Sequence, residues 1–224
     1  MTKTFKYKQA IVLGGSKGIG KEIAKYLKFS CKKVNALSSK DIDTSDLNSV
    51  VNFNKKFKMT DILVLNSGGP PNISFEKINE EDWYKYFNQL FLGYCMILKN
   101  IKINNNGYIF YISSSVIKEP SESLVISSSI RVAFSSILKS LSKSYSKKNI
   151  SVINIAPGPF KTSRVKQLIG NQKDLKKYEK LLPTKKIGNP KEIGTFVNFI
   201  VKNKIRYFSG STIYMDGNLS KSFL

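Results

Sequence analysis

The stretch QAIVLGGSKGIG, residues 9–20, decides the fold that we predict for this chain of 224 residues. Residues 9–13 form an apolar run, as expected of a parallel strand that is covered on both faces. Gly14, Gly18 and Gly20 then permit a tight turn, and apolar residues at helical spacing follow it. A strand, a glycine loop and a helix in this order predict a dinucleotide site, because the backbone approaches the pyrophosphate closely and the helix N-terminus favours its charge.

Strand and helix patterns alternate along the rest of the chain. Apolar runs typical of further strands occupy residues 33–37, 61–65, 108–112, 150–155 and 211–214. Apolar residues recur at helical spacing over 83–101 and 127–145, and Pro190 suits the first turn of a helix that ends near residue 201. The alternation predicts an α/β fold, in which a single domain (residues 1–224) holds a Rossmann-type doubly wound parallel sheet with helices on both faces.

Composition argues against several classes of site and partner. The chain has no histidine, which excludes a Ser-His-Asp mechanism and any histidine-ligated metal. Net charge is +22, but all except three of the 37 basic residues are lysines scattered along the chain. Nucleic-acid readers favour arginine for bidentate contacts, so we expect no nucleic-acid partner. No apolar run approaches the roughly 18 residues of a membrane span, and Cys31 and Cys95 have neither metal nor redox spacing. We therefore expect a cytoplasmic protein with no metal site and no membrane partner.

Five short motifs follow one another across nearly the whole chain. They are Gly14-x-x-x-Gly18-x-Gly20, Asn66-Ser67-Gly68, Ile112-Ser113-Ser114, Pro157-Gly158-x-x-x-Thr162 and a C-terminal group around Gly210, Asp216 and Gly217. In this order they resemble the motifs of the short-chain dehydrogenase/reductase family. The resemblance implies a sheet of six to seven strands, with Thr162 and the Pro157-Gly158 backbone at the nicotinamide end of the cofactor.

The residues after the second strand favour NADP(H) over NAD(H). An NAD site needs an acid there to accept from the ribose 2′-hydroxyl, whereas this chain has Leu37-Ser38-Ser39-Lys40. Lys17 lies inside the glycine loop, and a cation with hydroxyls suits the 2′-phosphate. The family resemblance adds Asp43-Thr44 as an adenine contact. The predicted cofactor-binding residues are Gly14, Ser16, Lys17, Gly18, Ile19, Gly20, Ser38, Ser39, Lys40, Asp43, Thr44, Asn66, Ser67, Gly68, Pro157, Gly158 and Thr162.

The segment between the second strand and Asp43 is shorter than the family pattern requires. Only a few residues separate the two, whereas a helical crossover between parallel strands needs about a dozen or more. We therefore expect the helix that the family has there to be missing, and the edge of the sheet to be trimmed.

The acid–base residues of the family are largely replaced. The family's Tyr-x-x-x-Lys begins thirteen residues beyond the serine, and counting from Ser114 places Ser127 and Arg131 at these two positions. The family's helix asparagine falls on Leu90. A serine hydroxyl is a far poorer acid than tyrosine, and arginine stays protonated, yet its planar fork can hold ribose hydroxyls, a carboxylate or a phosphate. Ser114, Ser127 and Arg131 are the predicted catalytic residues.

Three functions remain open on the sequence alone. The first is an NADP(H)-dependent oxidoreductase of the carbonyl reductase or alcohol dehydrogenase type, whose proton path runs through water, Ser114 or Tyr111. The second is a catalytically degenerate NADP(H)-binding sensor or partner subunit. The third, a cofactor-free lyase like the halohydrin dehalogenases, fits less well because that group keeps the tyrosine and loses the glycine loop. The loop Gly68-Gly69-Pro70-Pro71 beside Ser-x-x-x-Arg resembles a subset of the family, which argues against random decay.

Two further features concern partners. Residues 163–188, which the family uses as a substrate lid, are polar and lysine-rich and permit a small polar or anionic substrate. The predicted helices at 83–101 and 127–145 are those that the family packs into a four-helix subunit interface. Their apolar stripes look broad enough to serve both core and partner, so we expect a homodimer or homotetramer.

Overall fold

The computed structural model describes residues 5–223 and shows an α/β fold. The strands are β1 (Tyr7–Val12), β2 (Cys31–Ala36), β3 (Met59–Leu65), β4 (Lys102–Ile112), β5 (Ser151–Pro157) and β6 (Thr212–Met215). The helices are α1 (Gly18–Leu27), α2 (Leu47–Lys56), α3 (Glu80–Phe87), α4 (Gly93–Asn100), α5 (Val125–Ser146), α6 (Ser163–Ile169), α7 (Gln172–Leu181) and α8 (Pro190–Lys202). Each predicted strand is present, with its ends moved by a few residues, whereas α2, α6 and α7 were not predicted.

The strands form one parallel sheet in the order β2-β1-β3-β4-β5-β6. The chain winds outward from β1 to β2 and then returns across β1 to β3. The carboxyl ends of β1 and β3 therefore flank the point where the winding reverses, which is where open α/β sheets bind ligands. This topology confirms the predicted doubly wound, single-domain sheet.

Both faces of the sheet are buried, which explains why its strands are so apolar. Along β1, Ala10 and Val12 pack on one side with residues of α1 and α8. Ile11 and the following Leu13 pack on the other side with residues of α2, α4 and α5. Alternate side chains of a single strand thus pack into two hydrophobic layers, one on each face of the sheet. The sheet packed in this way fixes the position of the loops at its carboxyl edge.

The edge of the sheet is trimmed, as expected. β2 is the outermost strand, and no helix lies between its end at Ala36 and Asp43. The next helix, α2, begins at Leu47 and is capped by Asp46, whose side chain accepts from the backbone N–H of Asn48. This helix leads directly to β3. Its sequence LNSVVNFNKK is largely polar, which is why its apolar spacing did not reveal it.

The helix predicted over residues 83–101 is composite and begins earlier. α3 starts at Glu80, where Asn79 caps it by accepting from the backbone N–H of Asp82. A π-helical turn over Asn88–Leu92 then joins α3 to α4. Turns of this kind interrupt regular helices and are frequent at functional sites. The helical spacing in the sequence predicted the element but not this local widening.

By length and composition, residues 122–146, which include α5, could cross a membrane. In the fold, this helix buries a stripe of residues at intervals of four, namely Ile126, Ile130, Phe134 and Leu138. Phe134 and Leu138 pack against the sheet together with Leu63 and Ile109. The apolar character of the helix is thus accounted for by packing, and the absence of a membrane partner stays a prediction.

Candidate active site

The glycine loop between β1 and α1 is shaped by contacts that a side chain would prevent. Gly14 and Gly18 lie in the left-handed region, with φ of 59° and 52°. A Cβ at Gly20 would lie 2.2 Å from the carbonyl oxygen of Gly14. Asn66 supports the turn, because its Nδ2 donates to the carbonyl oxygens of Leu13 and Gly14 at 3.2 and 3.3 Å. Gly20 therefore serves the packing of the loop, and Gly14 its tight turn.

The loop is also suited to an anionic group. The side chain of the N-cap residue Lys17 makes no capping hydrogen bond to α1, and the first turn contains no acid, so the N–H groups there can bind a ligand. A Cβ added at Gly68, which follows β3, would meet nothing within 4 Å. Free donors at a helix N-terminus beside open space fit the pyrophosphate of a dinucleotide.

A cavity of about 1060 Å³ opens beside this loop at the carboxyl edge of the sheet. Small-molecule sites usually measure roughly 300–1,000 Å³, so this cavity has room for a dinucleotide together with a second small molecule. Most of the predicted site residues line it. They are Gly14, Ser16, Lys17, Gly18, Ile19, Ser39, Asn66, Ser67, Gly68, Ser114, Ser127, Arg131, Pro157, Gly158 and Thr162.

The remaining predicted cofactor residues do not line the cavity. They are Gly20, Ser38, Lys40, Asp43 and Thr44. Asp43 is engaged locally, because its Oδ1 accepts from the backbone N–H and the hydroxyl of Ser45 at 2.9 and 2.7 Å. Thr44 is buried beneath α4, and its carbonyl oxygen would lie 2.5 Å from a Cβ at Gly93. The adenine contact expected from the family resemblance therefore stays a prediction.

An acid that the sequence analysis did not consider lies in the loop after β2. Oδ2 of Asp41 accepts from the backbone N–H and the hydroxyl of Ser38 at 2.8 and 2.7 Å. These two hydrogen bonds hold the pKa of Asp41 below its usual value. Asp41 does not line the cavity, whereas the neighbouring Ser39 does. The end of β2 thus holds a carboxylate after all, although it is bound within its own turn.

Ser127 and Arg131 lie one turn apart on α5 and bond to each other. Nε of Arg131 donates to Ser127 Oγ at 3.2 Å, and Nη1 donates to the carbonyl oxygen of Ile112, the last residue of β4, at 3.2 Å. Arg131 is only 5% exposed. Ser114 lies two residues beyond Ile112 and lines the same cavity. The meeting of β4 and α5 thus brings the three predicted catalytic residues together.

Tyr111, considered above as a proton carrier, does not line the cavity. It is fully buried beneath α5 and packs edge-on against Tyr94, with 6.0 Å between ring centroids. Within residues 5–223, neither hydroxyl has a hydrogen-bond partner. Burial raises the pKa of both tyrosines, and the charge of Arg131 opposes this shift at Tyr111. Direct proton donation by Tyr111 to a ligand is therefore not supported.

Leu90, which the family resemblance places at the helix asparagine, lies in the π-helical turn between α3 and α4. Its side chain is fully buried in a cluster with Tyr86, Ile126 and Ile130. An apolar side chain here packs against α5. The π-helical turn is thus present, but Leu90 has no side-chain amide that could take part in proton transfer.

The lid contributes polar residues that the sequence analysis did not single out. Thr162 caps α6 by accepting from the backbone N–H of Val165 at 3.3 Å. In the first turn of α6, Nη2 of Arg164 donates to the carbonyl oxygen of Pro70. Burial, and after it the charge of Arg131, lower the pKa of Arg164. Other polar lid residues that line the cavity are Gln167, Asp174, Lys177 and Tyr178. The signal that could have revealed Arg164 is the rarity of arginine in this chain.

Comparison with known proteins agrees with the geometry. Residues 41–220 match the family described as enoyl-(acyl carrier protein) reductase. The 3-oxoacyl-[acyl-carrier-protein] reductase FabG of Buchnera aphidicola subsp. Baizongia pistaciae is 27% identical over 239 residues, covering 95% of this chain and 97% of FabG. The NADPH-dependent reductase BacG of Bacillus subtilis is 26% identical over 254 residues, covering 95% and 98%.

A solved structure gives the same result for the fold. L-sorbose reductase from Gluconobacter frateurii, complexed with NADPH and L-sorbose, matches 100% of both chains with a TM-score of 0.85 and 22% sequence identity. The family match spans most of this chain, and the relatives span it nearly end to end. The chain therefore belongs to the short-chain dehydrogenase/reductase family of oxidoreductases.

Proposed function

We propose that the protein is an NADP(H)-dependent carbonyl reductase, or alcohol dehydrogenase in the reverse direction, with a serine–arginine pair in place of tyrosine and lysine. The observation that carries the proposal is the bond from Arg131 Nε to Ser127 Oγ at the wall of the cavity that the glycine loop also lines. BacG and L-sorbose reductase are both named with NADPH, which supports the choice of cofactor.

The cofactor is assigned to the glycine-loop side of the cavity. The free N–H groups at the start of α1 hold the pyrophosphate, and Lys17 with Ser39 holds the 2′-phosphate. Lys17 is exposed and lines the cavity, so its ammonium group can reach a bound ligand. Thr162 and the Pro157-Gly158 backbone hold the nicotinamide end. The bound nicotinamide supplies the hydride for the carbonyl carbon of the substrate.

Ser127 is assigned as the group that donates to the substrate oxygen. Because its Oγ accepts from Arg131, its own hydrogen is free to point into the cavity. The fixed positive charge of Arg131 stabilises the negative charge that develops on the oxygens beside it as the carbonyl is reduced. Ser114 supplies a second hydroxyl that can donate a hydrogen bond to the substrate oxygen. Water returns to Ser127 the proton that it has given to the substrate. Arginine itself takes no part in proton exchange.

Replacing Ser127 by Ala tests this assignment. Loss of a positioned general acid costs about 10²- to 10⁴-fold in rate, so we expect kcat to fall by at least about 100-fold while calorimetric affinity for NADPH is unchanged. Ser129→Ala is the matched control, because its exposed hydroxyl bonds within α5 to the carbonyl oxygen of Val125. Full turnover by Ser127→Ala would contradict this assignment. If turnover is lost in Tyr178→Phe instead, the proton donor lies on the lid.

A cofactor-binding protein without turnover is the second candidate. The observation in its favour is that the family's tyrosine and lysine are absent, and that the nearest tyrosine on β4, Tyr111, is buried outside the cavity. NADPH binding together with no turnover of any carbonyl compound in a broad panel would assign the chain to this class.

A further inference from the structure

Two of the three arginines in the chain converge on one point of the cavity, beside Gly69. A Cβ built at Gly69 would lie 3.5 Å from Arg131 Nη2 and 3.8 Å from Arg164 Nη2. The two side chains come from different elements, α5 and α6, and both line the cavity. Their guanidinium groups therefore face the same small space over the loop that follows β3.

Arg131 uses two of its nitrogens in hydrogen bonds that hold the side chain in place. Nε donates to Ser127 and Nη1 to the carbonyl oxygen of Ile112. The third nitrogen, Nη2, faces the space over Gly69, 3.5 Å from where a Cβ would lie, although the side chain is only 5% exposed. A buried positive charge that faces a cavity is costly unless a ligand of opposite charge meets it.

No carboxylate of the described residues neutralises the two arginines. Arg164 bonds to a neutral acceptor, the carbonyl oxygen of Pro70. Asp174 is the acidic residue that lines the cavity, and its carboxylate lies against Gly170 on the lid, 3.0 Å from where a Cβ would be. Two like charges held close together in a cleft are unfavourable unless an anion lies between them.

We infer that the substrate carries a carboxylate, bound over Gly69 between Arg131 Nη2 and the guanidinium of Arg164. The inference rests on the proposed function and names its substrate class. Gly69 does not have a positive φ, so its backbone does not require glycine. What glycine provides is space at the point that both arginines face, and a carboxylate there would accept one charge-assisted hydrogen bond from each.

The loop chemistry favours a carboxylate over a phosphate. Phosphate sites commonly use several backbone N–H groups, but Gly69 is followed by Pro70 and Pro71, which have none. The first turn of α6 is already capped by Thr162. The two planar guanidinium groups that face Gly69 are thus the charged donors at this point, and each matches the two oxygens of a carboxylate.

The distance between carboxylate and carbonyl follows from Arg131. It bonds to Ser127, the assigned donor to the carbonyl oxygen, and its Nη2 faces the proposed carboxylate site. The two substrate groups must therefore lie close together, as in a 2-oxo or 3-oxo acid. Hydride from NADPH adds to the carbonyl carbon and a proton to its oxygen, giving a hydroxy acid and NADP⁺, while the carboxylate is unchanged.

A pair of probes that differ only in charge tests this site. Binding of 2-oxohexanoate and of its neutral methyl ester to the protein saturated with NADP⁺ is measured by calorimetry, without turnover. We expect the acid to bind far more tightly than the ester. Arg164→Ala should weaken binding of the acid roughly 10- to 150-fold, the range for a lost hydrogen bond to a charged group. Gly69→Ala should also weaken it, because the added Cβ would occupy the space of the carboxylate. Lys166→Ala, which removes an exposed positive charge from the same helix outside the cavity, should change nothing.

Three results would overturn the inference. The first is equal affinity for the acid and the ester. The second is tighter binding of methyl phosphate than of the acid, with the affinity for methyl phosphate also falling in Arg164→Ala. The third is loss of NADP⁺ affinity in Arg164→Ala with acid binding intact, which would assign the arginines to the cofactor. Binding of the acid through both arginines without reduction by NADPH would support the carboxylate site and contradict the proposed reductase, so the two failures are distinguishable.

Discussion

At the scale of single residues, the Ser127–Arg131 pair changes how charge is supplied to the site. A tyrosine with a neighbouring lysine offers a phenol that ionises near pH 10 beside a group that can itself lose a proton. Arginine instead keeps its charge and holds it in place through two hydrogen bonds, to Ser127 Oγ and to the end of β4. The pair thus exchanges an acid of moderate strength for a fixed positive charge beside a weak acid.

Lys17 sets the first residue-scale prediction, which concerns cofactor preference. Removing its charge in Lys17→Ala should weaken the binding of NADPH by roughly 10-fold or more, as expected for a lost charged contact. The binding of NADH should weaken by less than about twofold. The measurement is calorimetric affinity for both cofactors. Lys21→Ala is the control, because Lys21 is exposed on the same helix and does not line the cavity. Equal affinity of the parent protein for NADH and NADPH would contradict the assignment.

Tyr94 allows a prediction about stability. Its buried hydroxyl has no hydrogen-bond partner among residues 5–223, so Tyr94→Phe should leave the free energy of unfolding unchanged or raise it by up to about 1 kcal/mol at pH 7. Burial raises the folded pKa of Tyr94. The parent therefore loses stability as pH rises above the unfolded value of about 10, where the unfolded chain ionises first. Between pH 7 and pH 10.5, denaturant titrations should show a smaller loss of unfolding free energy in Tyr94→Phe than in the parent. An equal loss in both proteins would contradict this prediction.

Counting along the sequence predicted some site residues and missed others for physical reasons. Ser127 and Arg131 could be located from Ser114 because a short connection of fixed spacing leads from the end of β4 to the first turns of α5. Arg164 could not be placed, because its partner Pro70 lies 94 residues away and the lid has no strong apolar spacing. Asp41 was missed because its hydrogen bonds to Ser38 bend the loop back toward the end of β2.

At the scale of elements, α5 serves the site and the core at once. Its first turns carry Ser127 and Arg131, and its apolar stripe continues along the sheet through Phe134 and Leu138. The two proposed catalytic side chains are therefore positioned by the packing of the whole helix. The π-helical turn between α3 and α4 packs against the same helix through Leu90.

Exposed apolar residues on α3 and α5 also allow a prediction about oligomeric state. Phe87 on α3 and Val132 on α5 are 43% and 44% exposed, which leaves apolar surface on the helices that the family uses for subunit contact. We expect a homodimer or homotetramer by light scattering at micromolar concentration, and a lower mass for Val132→Glu. Met59→Glu, at an exposed apolar position at the amino end of β3, is the control. A parent mass near 25.3 kDa would contradict this prediction.

At the scale of the whole molecule, sheet order decides where chemistry is possible. The reversal of winding between β1 and β3 opens the cavity, and four of the five separated motifs meet at it because parallel strands end at one edge. The C-terminal group around Gly210, Asp216 and Gly217 does not line it. The glycine stretch and the alternation of elements were enough to predict this plan. They did not predict α2, whose buried residues are few, or the lid helices, whose sequence is mostly polar.

Transfer of deuterium from NADPH labelled at C4 of the nicotinamide tests the central proposal most directly. The protein is incubated with the labelled cofactor and a panel of carbonyl compounds that includes 2-oxohexanoate, and the alcohols are examined by mass spectrometry. We predict one deuterium at the carbinol carbon of at least one product, formed in step with NADP⁺ and at least about 100-fold more slowly by Ser127→Ala. Binding of NADPH with no deuterated alcohol from any carbonyl compound would contradict the reductase and assign the chain to cofactor binding alone.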